Sequence, residues 1–253
     1  MGVDPCETPE IIQVAEGFYV RQAIDNTAWI DIGGGAVVVD ALEQPDLEGE
    51  VLGAIADTLG DTPVRHVLNT HTHYDHTALN PAFERRGATI VNARTTEIPP
   101  EGLWLEGPRR RVQMLPMPGC HTREDCVVWV PEDRALFAGD IFGWGLIPLM
   151  TQLDAETAQH LLDTYARLIA FDAATVIPGH GPLCTTVELR RWVTYFGWLR
   201  DQVSQAIAAG KDDSQIAAAI APPEDMRGWW RFLQWKHEDS LTKMVTAVRR
   251  GDV

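Results

Sequence analysis

The chain has 253 residues, of which 45% are hydrophobic and 23% charged, and a formal net charge of −15. These values sit in the ordinary globular range, with length enough for one large domain or two small ones around a substantial core. The acidic balance argues against a nucleic-acid partner, because binding to phosphates rests on a basic footprint.

Residues 11–14, 18–24, 28–32 and 36–39 are short β-type runs separated by turn residues, and they read as an antiparallel meander. Gly33, Gly34 and Gly35 mark a hairpin turn; no helix with Lys-Ser/Thr follows, as a phosphate loop would need. Leu47, Val51, Ile55 and Leu59 then form one stripe of an amphipathic helix over residues 46–60. An apolar strand, residues 64–68, runs directly into His71-Thr72-His73-Tyr74-Asp75-His76. Alternate side chains of extended backbone point the same way, so His71 and His73 can converge on one ion while Asp75 and His76 swing toward a second position. Imidazole and carboxylate donors suit zinc, iron or manganese without any thiolate.

A helix over residues 78–86 ends at Gly87 and leads into a strand over residues 88–92. Residues 95–108 are irregular, rich in proline and glycine around Leu103-Trp104-Leu105, and Trp104 is read either as part of a lid over a pocket or as tucked into the core. Arg109-Arg110-Arg111 reads as a solvated strand edge, with an arginine available to a substrate carboxylate as the sharper alternative. A turn at residues 117–122 delivers His121 just before the strand 126–130. The strand 135–138 ends in Gly139-Asp140, and the strand 175–177 ends in Pro178-Gly179-His180-Gly181. Each donor thus lies next to an apolar strand, where α/β-type sheets gather their functional loops. The apolar stretch 141–150, with Phe142, Trp144 and Ile147, would favour a substrate with a hydrophobic portion or simply pack between strands.

Asp154 caps a helix whose Ala158, Leu161, Tyr165 and Leu168 share one face. The remainder reads as helices over residues 187–209, 214–220 and 225–249, rich in tryptophan at Trp192, Trp198, Trp229, Trp230 and Trp235. This helical segment is expected to pack on the core, with an oligomer interface or a pocket wall as alternatives. His237 has no partner donors nearby in sequence and stays outside the metal set. Cys6, Cys120, Cys126 and Cys184 form no CxxC pair and read as reduced thiols, Cys120 being the one placed to sense oxidation. Residues 1–10 lack a cationic segment followed by an apolar stretch, and no run approaches a membrane span, so a cytoplasmic protein without membrane contact is expected.

Taken together, His71, His73, Asp75, His76, His121, Asp140 and His180 resemble the donor set of the metallo-β-lactamase fold superfamily, over residues 11–184. The resemblance implies an α+β fold, an αββα sandwich of two mixed sheets flanked by helices over residues 1–184, with a helical C-terminal extension over 185–253. It also implies two zinc ions per chain, the first on His71, His73 and His121, the second on Asp75, His76 and His180, with Asp140 bridging. Asp75 would orient a metal-bound hydroxide that attacks an ester, thioester, lactone or lactam of a small-molecule substrate. The residues after Asp140 contain no lysine of the kind that holds the antibiotic carboxylate in zinc β-lactamases. His76 is followed by Thr77-Ala78-Leu79-Asn80 in place of the glycine-rich turn of glyoxalase-type enzymes, and no lactonase-type tyrosine follows Asp140. The alternative within the same fold is an iron-dependent sulfur dioxygenase-like oxidoreductase.

Overall fold

A computed structural model describes residues 6–149 and 152–253. The N-terminal reading over residues 1–5, and Met150 at the end of the apolar loop, lie outside the described residues.

The first sheet has six strands in sequential order: β1 (Glu10–Ala15), β2 (Phe18–Gln22), β3 (Thr27–Asp31), β4 (Ala36–Val39), β5 (Val64–Leu68) and β6 (Thr89–Val91). β1 to β4 are the expected antiparallel meander; β4, β5 and β6 are parallel, joined through α1 (Glu48–Leu59) and α2 (Asn80–Glu84). Val37 and Val39 face the second sheet while Val38 faces the helices, so both sides of β4 are buried and its sequence is continuously apolar rather than alternating.

The second sheet runs β11-β10-β9-β8-β7, with β7 at Leu103–Glu106, β8 at Arg111–Pro116, β9 at Cys126–Val130, β10 at Ala135–Gly139 and β11 at Thr175–Pro178. β7 and β8 correct the sequence reading, which left residues 95–108 irregular. Trp104 pairs with Gln113 and Leu105 with Val112, so this stretch is an antiparallel hairpin rather than a lid. Pairing across the hairpin overrides the prolines and glycines that flank it.

Phe18, Ile30, Val39 and Leu68 from one sheet meet Met114, Val128, Phe137 and Ile177 from the other in the central core. The outer face of the first sheet packs Trp29 and Val67 against Val51, Ile55 and Phe83 of the helices. The outer face of the second packs Val127, Leu136 and Val176 against α3 (Ala155–Ala170), α4 (Thr186–Ala208) and α6 (His237–Arg250), with Tyr165 stacked on Trp192 at 4.0 Å between ring centroids. The architecture is therefore the expected αββα sandwich. Asp154 caps α3 through a reciprocal capping box with Thr157, as its sequence position suggests.

One helix differs from expectation. Residues 225–249 are not a single helix: a 3-10 turn at Glu224–Met226 and a π-helical turn at Phe232–Lys236 precede α6, with Arg231 in the left-handed region at φ 54°. The short α5 (Asp213–Ala219) lies before them.

Candidate metal centre

The parallel pairs β4/β5 and β10/β11, one in each sheet, bring their carboxyl ends to a common edge. β4 ends before Asp40, β5 opens into residues 69–76, β10 ends before Asp140, and β11 ends before Gly179-His180. His121 arrives on the turn that precedes β9. The buried Asp125 shapes that turn, its carboxylate accepting hydrogen bonds from the backbone N–H of Cys120, His121 and Thr122. Asn69 holds the other loop closed by donating to the His76 carbonyl at 2.8 Å, and a 3-10 turn at Tyr74–His76 lifts Asp75 and His76 away from His71 and His73.

These elements assemble two groups of donors, each with its members' donor atoms within 4.8 Å of one another: His71, His73 and His121, and Asp75, His76, Asp140 and His180. His73 Nδ1 faces His121 Nε2 at 3.1 Å. Asp140 Oδ2 lies 3.4 Å from His121 Nε2 and 4.0 Å from His71 Nε2 in the first group, and 3.2 Å from His180 Nε2 in the second. Its Oδ1 lies 3.4 Å from His76 Nε2. Gly179 makes room for this carboxylate: a Cβ there would sit 2.1 Å from Asp140 Oδ1.

The far side of most rings is fixed by an oxygen. His76 Nδ1 meets Asp40 Oδ2 at 2.8 Å, His180 Nδ1 meets Asp25 Oδ1 at 3.0 Å, and His121 Nδ1 meets the Pro148 carbonyl at 2.9 Å. Such contacts orient a ring so that its other nitrogen projects inward as a donor. The Asn26 side chain secures the His180 turn by donating to the carbonyls of Pro178 and Gly181, both at 2.8 Å. Asp40, Asp25, Asn26 and Asp125 were not singled out in the sequence. Asp40 carried a usable signal, an acid directly after an apolar strand like Asp140; the others depend on contacts across the fold.

The electrostatics are those of a site that draws positive charge. Burial, and then the neighbouring His76, push His71 down to about 2, leaving its imidazole neutral. Burial would lower His76, but Asp40 and Asp140 outweigh it and raise it to about 10. Burial also opposes the charge on Asp140 and on His180, yet their mutual attraction holds the acid well below and the base well above their ordinary values. Asp75, despite partial burial, is brought down to about 2 by its His180 hydrogen bond and by His76. Three buried atoms, His71 Nε2, His76 Nε2 and Asp140 Oδ1, have no hydrogen-bond partner. Orphaned imidazole nitrogens and a carboxylate oxygen, converging on one region, fit divalent metal binding by these residues.

A cavity of about 340 Å³ opens on this cluster, lined by Asp75, His121, Asp140 and His180 and walled by Phe142, Leu146, Trp230 and Trp235 among others. Of the residues expected at the pocket, Phe142 lines it. Trp144 is buried against Phe142 and Trp229, and Ile147 is fully buried beneath Ser240 and Lys243, which bond its backbone. Trp104 lies on β7, the outermost strand of the second sheet at the end opposite β11, under the Arg111 guanidinium. The arginine cluster is structural as well: Arg109 pairs with Asp31, Arg110 with Asp133 and Arg111 with Glu132. His237 is held by Tyr195 and the Ile220 carbonyl. Burial raises the Cys120 thiol to about 11, so it is not poised as a thiolate.

A family model described as the metallo-β-lactamase superfamily matches residues 22–91 and 86–180. The hydroxyacylglutathione hydrolase of Methylococcus capsulatus is 32% identical over 180 residues, 62% of this chain and 68% of that protein. Two further hydroxyacylglutathione hydrolases are matched over 56% and 55% of their own length. Among solved structures, a metallo-β-lactamase from Pontibacter korlensis superposes with a TM-score of 0.62 at 18% identity, covering 74% of this chain and 98% of that one. The sec-alkylsulfatase Pisa1 from Pseudomonas sp. reaches a TM-score of 0.74 at 13% identity, covering 95% of this chain and 50% of that one. At such identities the structural likeness speaks for the fold alone. No helix among the described residues is long and apolar enough to cross a membrane. The family match spans more than half of the chain, and with its hydrolase relatives it identifies the chain as a member of the metallo-β-lactamase superfamily and a metal-dependent hydrolase.

Proposed function

We propose that the chain is a dinuclear hydrolase of acyl compounds, with thioesters first among the bonds it cleaves and esters, lactones and lactams as the related alternatives. The observation that carries the dinuclear reading is the position of Asp140, one carboxylate oxygen of which lies within 4.0 Å of donor nitrogens from both groups. His71 Nε2, His73 Nδ1 and His121 Nε2 would hold one ion, and Asp75, His76 Nε2 and His180 Nε2 the other, with Asp140 between them. Divalent ions bound there would lower the pKa of a water molecule and polarise the substrate carbonyl. The thioester preference rests on the relatives, which are named hydroxyacylglutathione hydrolases.

The chain's own groups supply order. Asp40 and Asp25 fix the rings of His76 and His180, so that the inward nitrogens are set before substrate arrives. Asp75 is about one-third exposed, and its Oδ2 lies 3.3 Å from His180 Nε2. Its other oxygen can accept a hydrogen bond from the attacking water and so orient it towards the substrate. Phe142, Leu146 and Trp230 wall the cavity on one side and would shield a substrate bound there from bulk water.

The test is elemental analysis of protein purified without added metal, beside a panel of thioester, ester, lactone and β-lactam substrates. About two zinc ions per chain with thioester turnover are expected. About one iron, with oxygen uptake on a persulfide and no hydrolysis, would overturn the reading.

A further inference from the structure

We propose, building on the hydrolase reading above, that Ser240 and Lys243 of α6 are positioning residues for the first donor group: they fix residues 145–148, whose Pro148 carbonyl aims His121.

Residues 141–149 follow Asp140, supply Phe142, Gly143 and Leu146 to the cavity wall and return to His121, yet they form neither helix nor strand. Among the described residues their backbone makes one bond of its own, from the Leu146 N–H to the Gly143 carbonyl at 3.3 Å. Buried backbone groups need partners, and here side chains supply them. The Tyr165 hydroxyl donates to the Ile141 carbonyl at 2.8 Å, and the Trp192 indole to the Leu146 carbonyl at 2.9 Å. The Ser240 hydroxyl donates to the Gly145 carbonyl at 3.0 Å and accepts from the Ile147 N–H at 2.9 Å. Lys243 Nζ donates to the Ile147 carbonyl at 2.9 Å and pairs with Asp239 at 2.8 Å.

The next carbonyl, that of Pro148, meets His121 Nδ1 at 2.9 Å. A carbonyl oxygen carries no proton, so the ring nitrogen facing it is the one that donates. His121 is thereby held with a hydrogen on Nδ1 and with Nε2 turned towards His73 and Asp140. Local preference does not explain the shape of the loop. Trp144 lies in the left-handed region at φ 55°, a costly conformation for a bulky side chain that persists only where the surroundings impose it.

The restraint comes from far along the chain. Ser240 stands 95 and 93 positions from the two residues it bonds, and Lys243 stands 96 from Ile147. Trp192, Ser240 and Lys243 all lie beyond residue 180, where the family match ends, so the helical C-terminal segment supplies these bonds. His76 and His180 of the second group are oriented instead by Asp40 and Asp25, so the two groups should respond separately.

The test compares Ser240→Ala, Lys243→Met and Lys243→Arg in the full chain with Val203→Ala, which trims a buried side chain of α4 about three turns beyond Trp192. Chelator competition with zinc should show the dissociation constant of the first group raised about tenfold in Ser240→Ala and less in Lys243→Met, with that of the second within about twofold. His73→Ala, which removes a donor of the first group, tells the two constants apart. Lys243→Arg should restore most of the loss, and Val203→Ala should lower the melting temperature without moving the ratio of the constants. In the metal-free protein the Nδ1–H proton of His121, identified by its disappearance in His121→Gln, should exchange with solvent faster in Ser240→Ala and Lys243→Met than in wild type or Val203→Ala. A ratio or an exchange rate that matches Val203→Ala overturns the proposal and leaves both residues as braces of the helix. If Ser240→Ala fails to fold, Lys243→Met decides, since the Lys243 side chain is 30% exposed. Binding of a single ion would count against the dinuclear reading alone, because the His121 proton still reads the restraint.

Discussion

The two ends of the second sheet each lie beside a cluster of charged or titratable side chains, and the two clusters are put together differently. At the β7/β8 end, Arg109, Arg110 and Arg111 each meet a carboxylate at 2.6–2.9 Å. At the β10/β11 end, His71 Nε2, His76 Nε2 and Asp140 Oδ1 are buried and partnerless, and like groups face one another across 3.1 Å at His73 and His121. Matched charge holds a fold together; converging, unmatched donors are tolerated where a ligand completes them. The run of three arginines reads first as a solvated strand edge and the run of histidines as a metal site, and the completeness of the arginines' partners against the orphaned atoms beside the histidines agrees with that order.

The largest effect should come from breaking the convergent end at the atom both donor groups share. Asp140→Ala is expected to lower kcat by roughly 10³-fold, a loss of several kcal/mol of transition-state stabilisation, with measurable loss of bound metal by elemental analysis. Retention of full metal content with near-normal turnover would mean that Asp140 does not link the two groups. At the matched end, Arg110→Met removes a guanidinium that is 7% exposed and pairs with Asp133 at 2.6 Å. Denaturant melts should show a loss of about 3 kcal/mol, because the acid is left without its partner, while turnover per folded molecule stays within about twofold. A catalytic defect larger than the stability defect would move this cluster into the site.

Asp40→Asn sharpens the contrast inside the metal centre. The amide keeps its shape but no longer offers His76 a charged acceptor at 2.8 Å. Metal affinity of the second group should fall about 10- to 100-fold, with the first group less affected, in a chelator competition titration. The pH dependence of the metal-free protein separates the two ends again. His76 is raised to about 10 in the fold, so the stability it contributes is fully present below its ordinary value of 6.5 and is lost as pH rises through 10. Thermal melts of chelated protein should therefore decline across that window, and metal loading, which takes the place of the proton, should flatten the curve. The smallest effect is assigned to Trp104→Ala, which removes an exposed cation–π contact with Arg111 worth about 0.5–1 kcal/mol and should leave turnover unchanged. A marked rise in KM would restore the lid reading.

The sequence alone carried the candidate donor residues and most of the sandwich. Histidines and aspartates at the ends of apolar strands are local signals: strand and donor are neighbours in the text, and the valine run of β4 or the stripe of α3 needs no partner to be recognised. Sequence did not carry what depends on segments far apart. β7 became a strand because β8 lies beside it, although its flanking glycines and prolines read as loop. The continuous helix expected over residues 225–249 gave way to a left-handed residue and a π-helical turn, where Trp230 settles on Gly181. Helical propensity acts along the chain, and here packing across it prevailed.

The candidate metal centre divides along the same line. His71, His73, Asp75 and His76 are set by six residues of local geometry, but the contacts that orient their group, Asp40 to His76 and Asp25 to His180, span 36 and 155 positions. Residue type and strand-end position determined which side chains could bind a metal. Only the tertiary structure decided how their nitrogens and oxygens converge, which buried acids hold them, and that side chains of the C-terminal segment grip the loop beside them, because distances between distant segments are fixed by the packing of the two sheets and their helices.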